Sequence, residues 1–186
     1  MAVLLDSNVI GNQSILINLQ DNHPSDQASY VSAGGQALKI AGNVRTISSV
    51  KFYLKKVVSP TGNATAQIYA STGTVGSGAK PTGAALATSN NLDLSTLTTS
   101  YVLYELTFGT PLEVTAGNDY CLVLVNPASG VDATNYPIMG YGANGTHSGN
   151  GCYYLNSAWG AEVVDTIFYL YGTTAEDGGA FLLNFV

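Results

Sequence analysis

Apolar and polar residues alternate at a period of two through much of this chain, as expected of strands with one face turned to a core. The clearest run is 44–55. Successive strand side chains point to opposite faces, so Val44, Thr46, Ser48, Val50, Phe52 and Leu54 share one face and Arg45, Ile47, Ser49, Lys51, Tyr53 and Lys55 the other. The first set is predicted to face inward. Further strands are predicted over 64–70, 101–108 (Val102, Tyr104, Leu106 and Phe108 inward), 120–125, 135–139, 152–155 and 164–171. Glycine-, proline- and asparagine-rich turn clusters punctuate them at 59–63, 72–83, 115–118, 126–130 and 140–151. No segment carries the spacing of an amphipathic helix. The pattern predicts an all-β fold, an antiparallel β-sandwich or jelly roll, because a parallel sheet needs helices between its strands.

The ends read differently from the middle. Residues 1–35 hold short apolar runs broken by polar stretches, among them Asp21-Asn22-His23-Pro24-Ser25-Asp26, and are expected to form an extended N-terminal arm ahead of a sandwich domain at 36–172. Residues 173–186 form a C-terminal tail in which Phe181, Leu183 and Phe185 follow a Glu176-Asp177-Gly178-Gly179 hinge. Exposed apolar groups of this kind invite association unless covered. Ile15, Ile17 and Leu19 in the arm and Phe181, Leu183 and Phe185 in the tail are therefore interface candidates, against either the chain's own sandwich or a neighbouring subunit.

Composition narrows the class. Of 186 residues, 46% are hydrophobic and only 10% charged, against roughly 25% in an ordinary soluble domain, which predicts one folded unit and excludes a disordered chain. The net charge of −6 argues against a nucleic-acid partner. All six basic residues lie between Lys39 and Lys80, and nine of the twelve acids follow them. That polarity is satisfied within one fold or serves docking to copies and partners. Arg45, Lys51 and Lys55 are the candidates for contact with an acidic neighbour. The wealth of Gly, Thr, Ser, Asn and Tyr suits an extracellular surface, yet Met1-Ala2-Val3-Leu4-Leu5 is stopped by Asp6 and the first base is Lys39, unlike a signal peptide. No apolar run approaches the roughly 20 residues a bilayer needs, so no membrane partner is expected. These features fit a virion-surface protein assembled in a host cytoplasm and released by lysis.

Motifs for chemistry fail on their context. Gly140-Tyr141-Gly142-Ala143-Asn144-Gly145 matches the dinucleotide fingerprint, but no helix is predicted after it to present amides to a pyrophosphate. Gly73-Thr74-Val75-Gly76-Ser77-Gly78 resembles a phosphate loop until Ala79 takes the place of the required Lys. The two histidines, His23 and His147, fall in turn regions, and the carboxylates Glu105, Asp119, Asp132 and Asp165 are scattered. No enzyme activity, cofactor or metal is expected. Cys121 and Cys152, each in a predicted strand, are either a disulfide or two buried small apolar groups. Trp159 with Tyr153 and Tyr154 is either core packing or an aromatic platform for a sugar ring.

One resemblance adds to this. The residues behind it are Val50-Lys51-Phe52-Tyr53-Leu54, Pro60-Thr61-Gly62-Asn63-Ala64-Thr65-Ala66-Gln67-Ile68-Tyr69-Ala70, Pro81-Thr82-Gly83-Ala84-Ala85-Leu86-Ala87-Thr88-Ser89 and Gly117-Asn118-Asp119-Tyr120-Cys121-Leu122-Val123-Leu124, with Trp159, Asp165 and Phe168. With them, residues 36–172 resemble the choice-of-anchor type of β-sandwich module found in bacterial surface proteins and phage virion proteins. No sorting signal, lipobox or membrane anchor follows, which points to the virion branch. The resemblance implies a structural protein, a capsid decoration (cement) subunit bound to the major capsid protein or another virion protein. A homotrimer whose arms and tails grip the shell is the expected form, since several weak contacts made together hold tightly. The alternative function is carbohydrate or receptor binding at a tail appendage or cell surface through Tyr153, Tyr154 and Trp159.

Overall fold

The computed structural model describes residues 2–8, 13–18, 31–142, 147–155 and 157–175. It is an antiparallel sandwich of two sheets. The first sheet, of seven strands, contains β1 (Val3–Asn8), β2 (Gln13–Asn18), β4 (Val44–Val57), β7 (Val102–Glu113), β9 (Tyr136–Gly142), β12 (Asp165–Thr166) and β13 (Phe168–Thr174). The second, of six, runs β11 (Ala158–Glu162), β10 (Asn150–Leu155), β3 (Val31–Lys39), β8 (Asp119–Val125), β5 (Asn63–Thr72) and β6 (Lys80–Asp93). A 3-10 turn at Leu94–Thr96, capped by the Asp93 carboxylate accepting from Ser95 N, links β6 to β7. The all-β prediction holds.

Strand β4 is the spine of the first sheet. Its residues Phe52 and Leu54 pair with β7 on one side and with β13 and β9 on the other. Val50, Phe52 and Leu54 are buried as the alternation predicts, but nearer the start of the strand the inward positions are Val44 and Ile47, three residues apart. The pairing with β13 skips one β4 residue at Arg45 and another at Ser48, two bulges that each insert a residue and reset the phase. Thr46 and Ser48, predicted inward, are therefore only partly buried, while Ile47, predicted outward, is in the core. The bulged backbone leaves no room opposite: a Cβ on Gly172 would collide with the Thr46 carbonyl oxygen. On β7, Leu106 and Phe108 are buried as predicted, but Val102, at the start of this edge strand, is 43% exposed.

The main core lies between the sheets, around Leu38, Phe52, Ile68, Leu122, Tyr141 and Phe168. The second sheet also carries a small core on its outer face, formed by Ala37, Ala79, Cys121, Val123 and Cys152 with Tyr69, Val75, Val125 and Trp159 against it. Burial on both faces explains why β8 is apolar without alternation. The cover is the connection between β5 and β6, held down by the buried Asn150 side chain. Asn150 Oδ1 accepts from Gly76 N at 3.1 Å and Ala79 N at 3.3 Å, and Nδ2 donates to Ala79 O at 2.9 Å.

Residues 1–35, read from the sequence as an arm, contribute β1, β2 and the start of β3 to the sheets. β1 pairs along β13, β2 along β9, and β3 lies between β10 and β8. The register sets Ile15 opposite Tyr141 and Ile17 opposite Met139. Leu19, Phe181, Leu183 and Phe185 lie outside the described residues.

Candidate functional site

Two surfaces and one buried cluster concentrate the chemistry-bearing residues. The outer face of the first sheet is a field of half-buried tyrosines. β4 turns Lys51, Tyr53 and Lys55 outward beside Tyr169 and Tyr171 of β13. Tyr53 stacks on Tyr101 with centroids 4.9 Å apart, and Lys55 Nζ sits 4.8 Å from the Tyr101 centroid. Burial, and then the neighbouring Tyr53, push the Tyr101 phenol up to about 12, so it stays neutral. Lys51 Nζ lies 3.4 Å from Glu105 Oε2 and 5.1 Å from the Tyr171 centroid, while Ser49 Oγ donates to Glu105 Oε1 at 2.8 Å. Part of the charge polarity seen along the sequence is thus satisfied inside the fold: Lys51 is committed to Glu105. Of the three expected cationic contacts, exposed Arg45 and half-buried Lys55 carry no ion pair among the described residues.

The second surface is on the other sheet. Tyr154 and Trp159 are cross-strand partners with rings 4.9 Å apart, and Tyr69 of β5 meets the same indole at 5.5 Å. Tyr153, grouped with them from sequence, alternates to the opposite face, where its ring covers Gly160. Its place is taken by Tyr69, a residue 90 positions from Trp159 in the chain that only the sheet order brings near. The rings border a groove of about 280 Å³ floored by Ala33 and Val125.

The buried cluster joins the two sheets. Gln36 Nε2 donates to Asp165 Oδ1 at 2.8 Å and Gln36 Oε1 accepts from Thr166 N at 2.7 Å. Asp165 Oδ2 accepts from His147 N at 3.1 Å, and His147 Nε2 lies 3.0 Å from Asp6 Oδ2. Gly149 N donates to His147 Nδ1 at 2.9 Å, which fixes the neutral ring with its proton on Nε2, directed at Asp6. Burial works against the charged ring, but the Asp6 hydrogen bond and the charges of Asp6 and Asp165 outweigh it and raise the His147 pKa. The contacts at the ring are Asp6, Gln36, Gly149 and the edge of Phe168, an arrangement suited to holding a proton and clamping segments together. Among the described residues no group of His, Cys, Asp or Glu is placed to hold a metal ion. Residues 140–142 end β9, 143–146 lie outside the described residues, and 147–149 form a bend ahead of β10, with no helix among the described residues there.

Cys121 and Cys152 are both buried and free. The influence of Cys152 lowers the Cys121 pKa, and that of Cys121, together with burial, raises the Cys152 pKa. Cys121 Sγ also lies 3.5 Å from Ser71 Oγ.

Comparison with family models, with curated proteins and with solved structures gives no match for this chain. What the fold defines is a class, the two-sheet antiparallel β-sandwich.

Proposed function

We propose that this protein is a structural subunit of a phage virion, a capsid decoration protein that docks onto the shell through the outer face of its first sheet. The observation that carries the reading is the field of Tyr53, Tyr101, Tyr169 and Tyr171 around Lys51 and Lys55. Tyrosines give large contact area for little lost side-chain freedom, and they are enriched at protein interfaces, where charged residues are depleted from the centre. Arg45 and Lys55, which pair with no carboxylate among the described residues, select a shell protein that presents acidic groups. The resemblance of residues 36–172 to the choice-of-anchor module supports the virion setting, and a trimer would multiply modest contacts into firm attachment.

The test is co-sedimentation of the purified protein with shells that lack it, with light scattering to count copies. The expected result is saturable binding as a trimer, weakened about tenfold or more by Lys55→Glu or Tyr171→Ala, in line with the loss of one interface anchor. Shells that fail to bind the wild-type protein, or variants that bind as it does, would overturn the reading.

A further inference from the structure

We infer that the groove beside Trp159 is a binding site for one neutral pyranose ring, such as the terminal sugar of a surface glycan. This goes beyond shell attachment and uses the opposite sheet.

The groove is built by an irregularity in β6. Between the pairs Ile68↔Ala87 and Ala70↔Thr82, β6 spends five residue steps where β5 spends two, so the stretch at 83–86 leaves the ladder. That protrusion forms one wall through Gly83, Ala84 and Ala85. Tyr69, Tyr154 and Trp159 form the other, over the floor of Ala33 and Val125. Large aromatic groups gathered around an open cleft on an outer face mark a contact site.

Three features select the ligand. Among the described residues no charged side chain lines the groove, so a charged ligand meets no counter-ion from them. The volume, about 280 Å³, falls just below the roughly 300 to 1,000 Å³ of sites for drug-sized ligands, which fits one ring. Both tyrosines stand steeply to the same indole, at 62° and 61°, making a cup around one space. A proline-rich strand instead needs a row of ridges along its length. A pyranose has an apolar face of axial C–H groups to lay against aromatic rings and a rim of hydroxyls. The groove answers that rim with Ser32 and the phenols. Tyr69 donates its own hydrogen to Gln67 Oε1 at 2.5 Å, leaving its oxygen to accept from a sugar hydroxyl.

Trp159 is the single tryptophan, so its emission reports the site directly. The full-length protein is titrated with neutral hexoses, N-acetylhexosamines and deoxyhexoses, with glucuronate and a proline-rich peptide alongside. The expected result is a saturable change with at least one neutral sugar, at a Kd on the order of 1 mM, and none with glucuronate or the peptide. Trp159→Ala, followed by amide NMR shifts, and Ala84→Arg, which fills the cleft from an exposed position, each weaken binding about tenfold or more. Lys55→Glu on the other sheet leaves sugar binding unchanged, which separates this site from shell docking. Saturation by the peptide or by glucuronate in place of neutral sugars, no saturable response at ten times that concentration, or an Ala84→Arg variant that binds like wild type would overturn the inference.

Discussion

His147 Nε2 lies 3.0 Å from Asp6 Oδ2, tying the first strand of the chain to the bend that leads into β10. Asp6 reaches inward because β1 carries a bulge between Leu4 and Asp6, which puts Asp6 opposite the buried Leu170. The His147 side chain is only 9% exposed and that of Asp6 31%, so the pair is shielded in part from solvent.

This pair makes stability depend on pH. Folding raises the His147 pKa above its ordinary 6.5, so the stabilisation by the charged ring is complete below about that value and is lost as pH climbs through the folded-state pKa. Wild-type protein should gain stability over His147→Gln as pH falls from 8 toward 6, and Asp6→Asn should remove most of that gain. At pH 6, Asp6→Asn is expected to cost about 1 kcal/mol, less than the roughly 1.5 to 3 kcal/mol of a buried charge-assisted bond because Asp6 is partly exposed. Urea midpoints across pH and the NMR titration of the ring measure both. A flat difference between wild type and His147→Gln would show the pair to be idle.

Asn150→Ala should be among the more damaging polar substitutions. It strips the Asn150 partner from the Gly76 amide and the Ala79 carbonyl, while the Ala79 amide keeps the Thr74 carbonyl at 3.0 Å and the connection over the outer core stays in place. Unpaired buried groups of this kind cost about 1 to 3 kcal/mol each, and solvent recovers part of that if the connection lifts. A loss of about 2 to 4 kcal/mol is expected by urea unfolding, with accelerated amide exchange at 75–80. Global destabilisation without local exchange would argue against the clamp.

Two glycines offer a contrast. Gly172→Ala drives a methyl group into the Thr46 carbonyl at the bulge and should cost about 3 kcal/mol or more, whereas Gly109→Ala enters open space and should fall within about 0.5 kcal/mol. Thermal melts of the two variants decide this, and equal melting temperatures would remove the packing account of the bulge.

The cysteines should remain thiols. β3 runs between the strands that carry them, and two strand spacings of about 4.8 Å exceed the roughly 7 Å between Cα atoms that a disulfide spans. Thiol titration in denaturant without reductant should find two free groups, and native protein should react slowly because neither sulfur meets solvent, whatever the lowered Cys121 pKa. A mass two hydrogens short would contradict the strand order.

Much of the fold was legible along the chain, because alternation is written in consecutive residues. The strands around Phe52, Ile68, Leu106, Leu122 and Phe168 were marked by that local pattern or by continuous apolar runs. β6 was not, since its threonines, asparagines and alanines lie mostly exposed and carry little hydrophobic signal. Tyr154 and Trp159 could be grouped because a short hairpin pairs them. Tyr69 could not, and neither could the Gln36, Asp165 and His147 cluster, because no sequence spacing encodes which strands become neighbours.

The sequence by itself determined an all-β chain with few charges, since period-two alternation and turn residues act over a handful of positions. The tertiary structure alone decided which tyrosine joins Trp159, where the bulges at Arg45 and Ser48 turn Ile47 into the core, and that Lys51 neutralises Glu105. The reason is physical: strand pairing and sheet packing depend on contacts between residues far apart in the chain, and a one-residue shift in register reverses the face each side chain occupies.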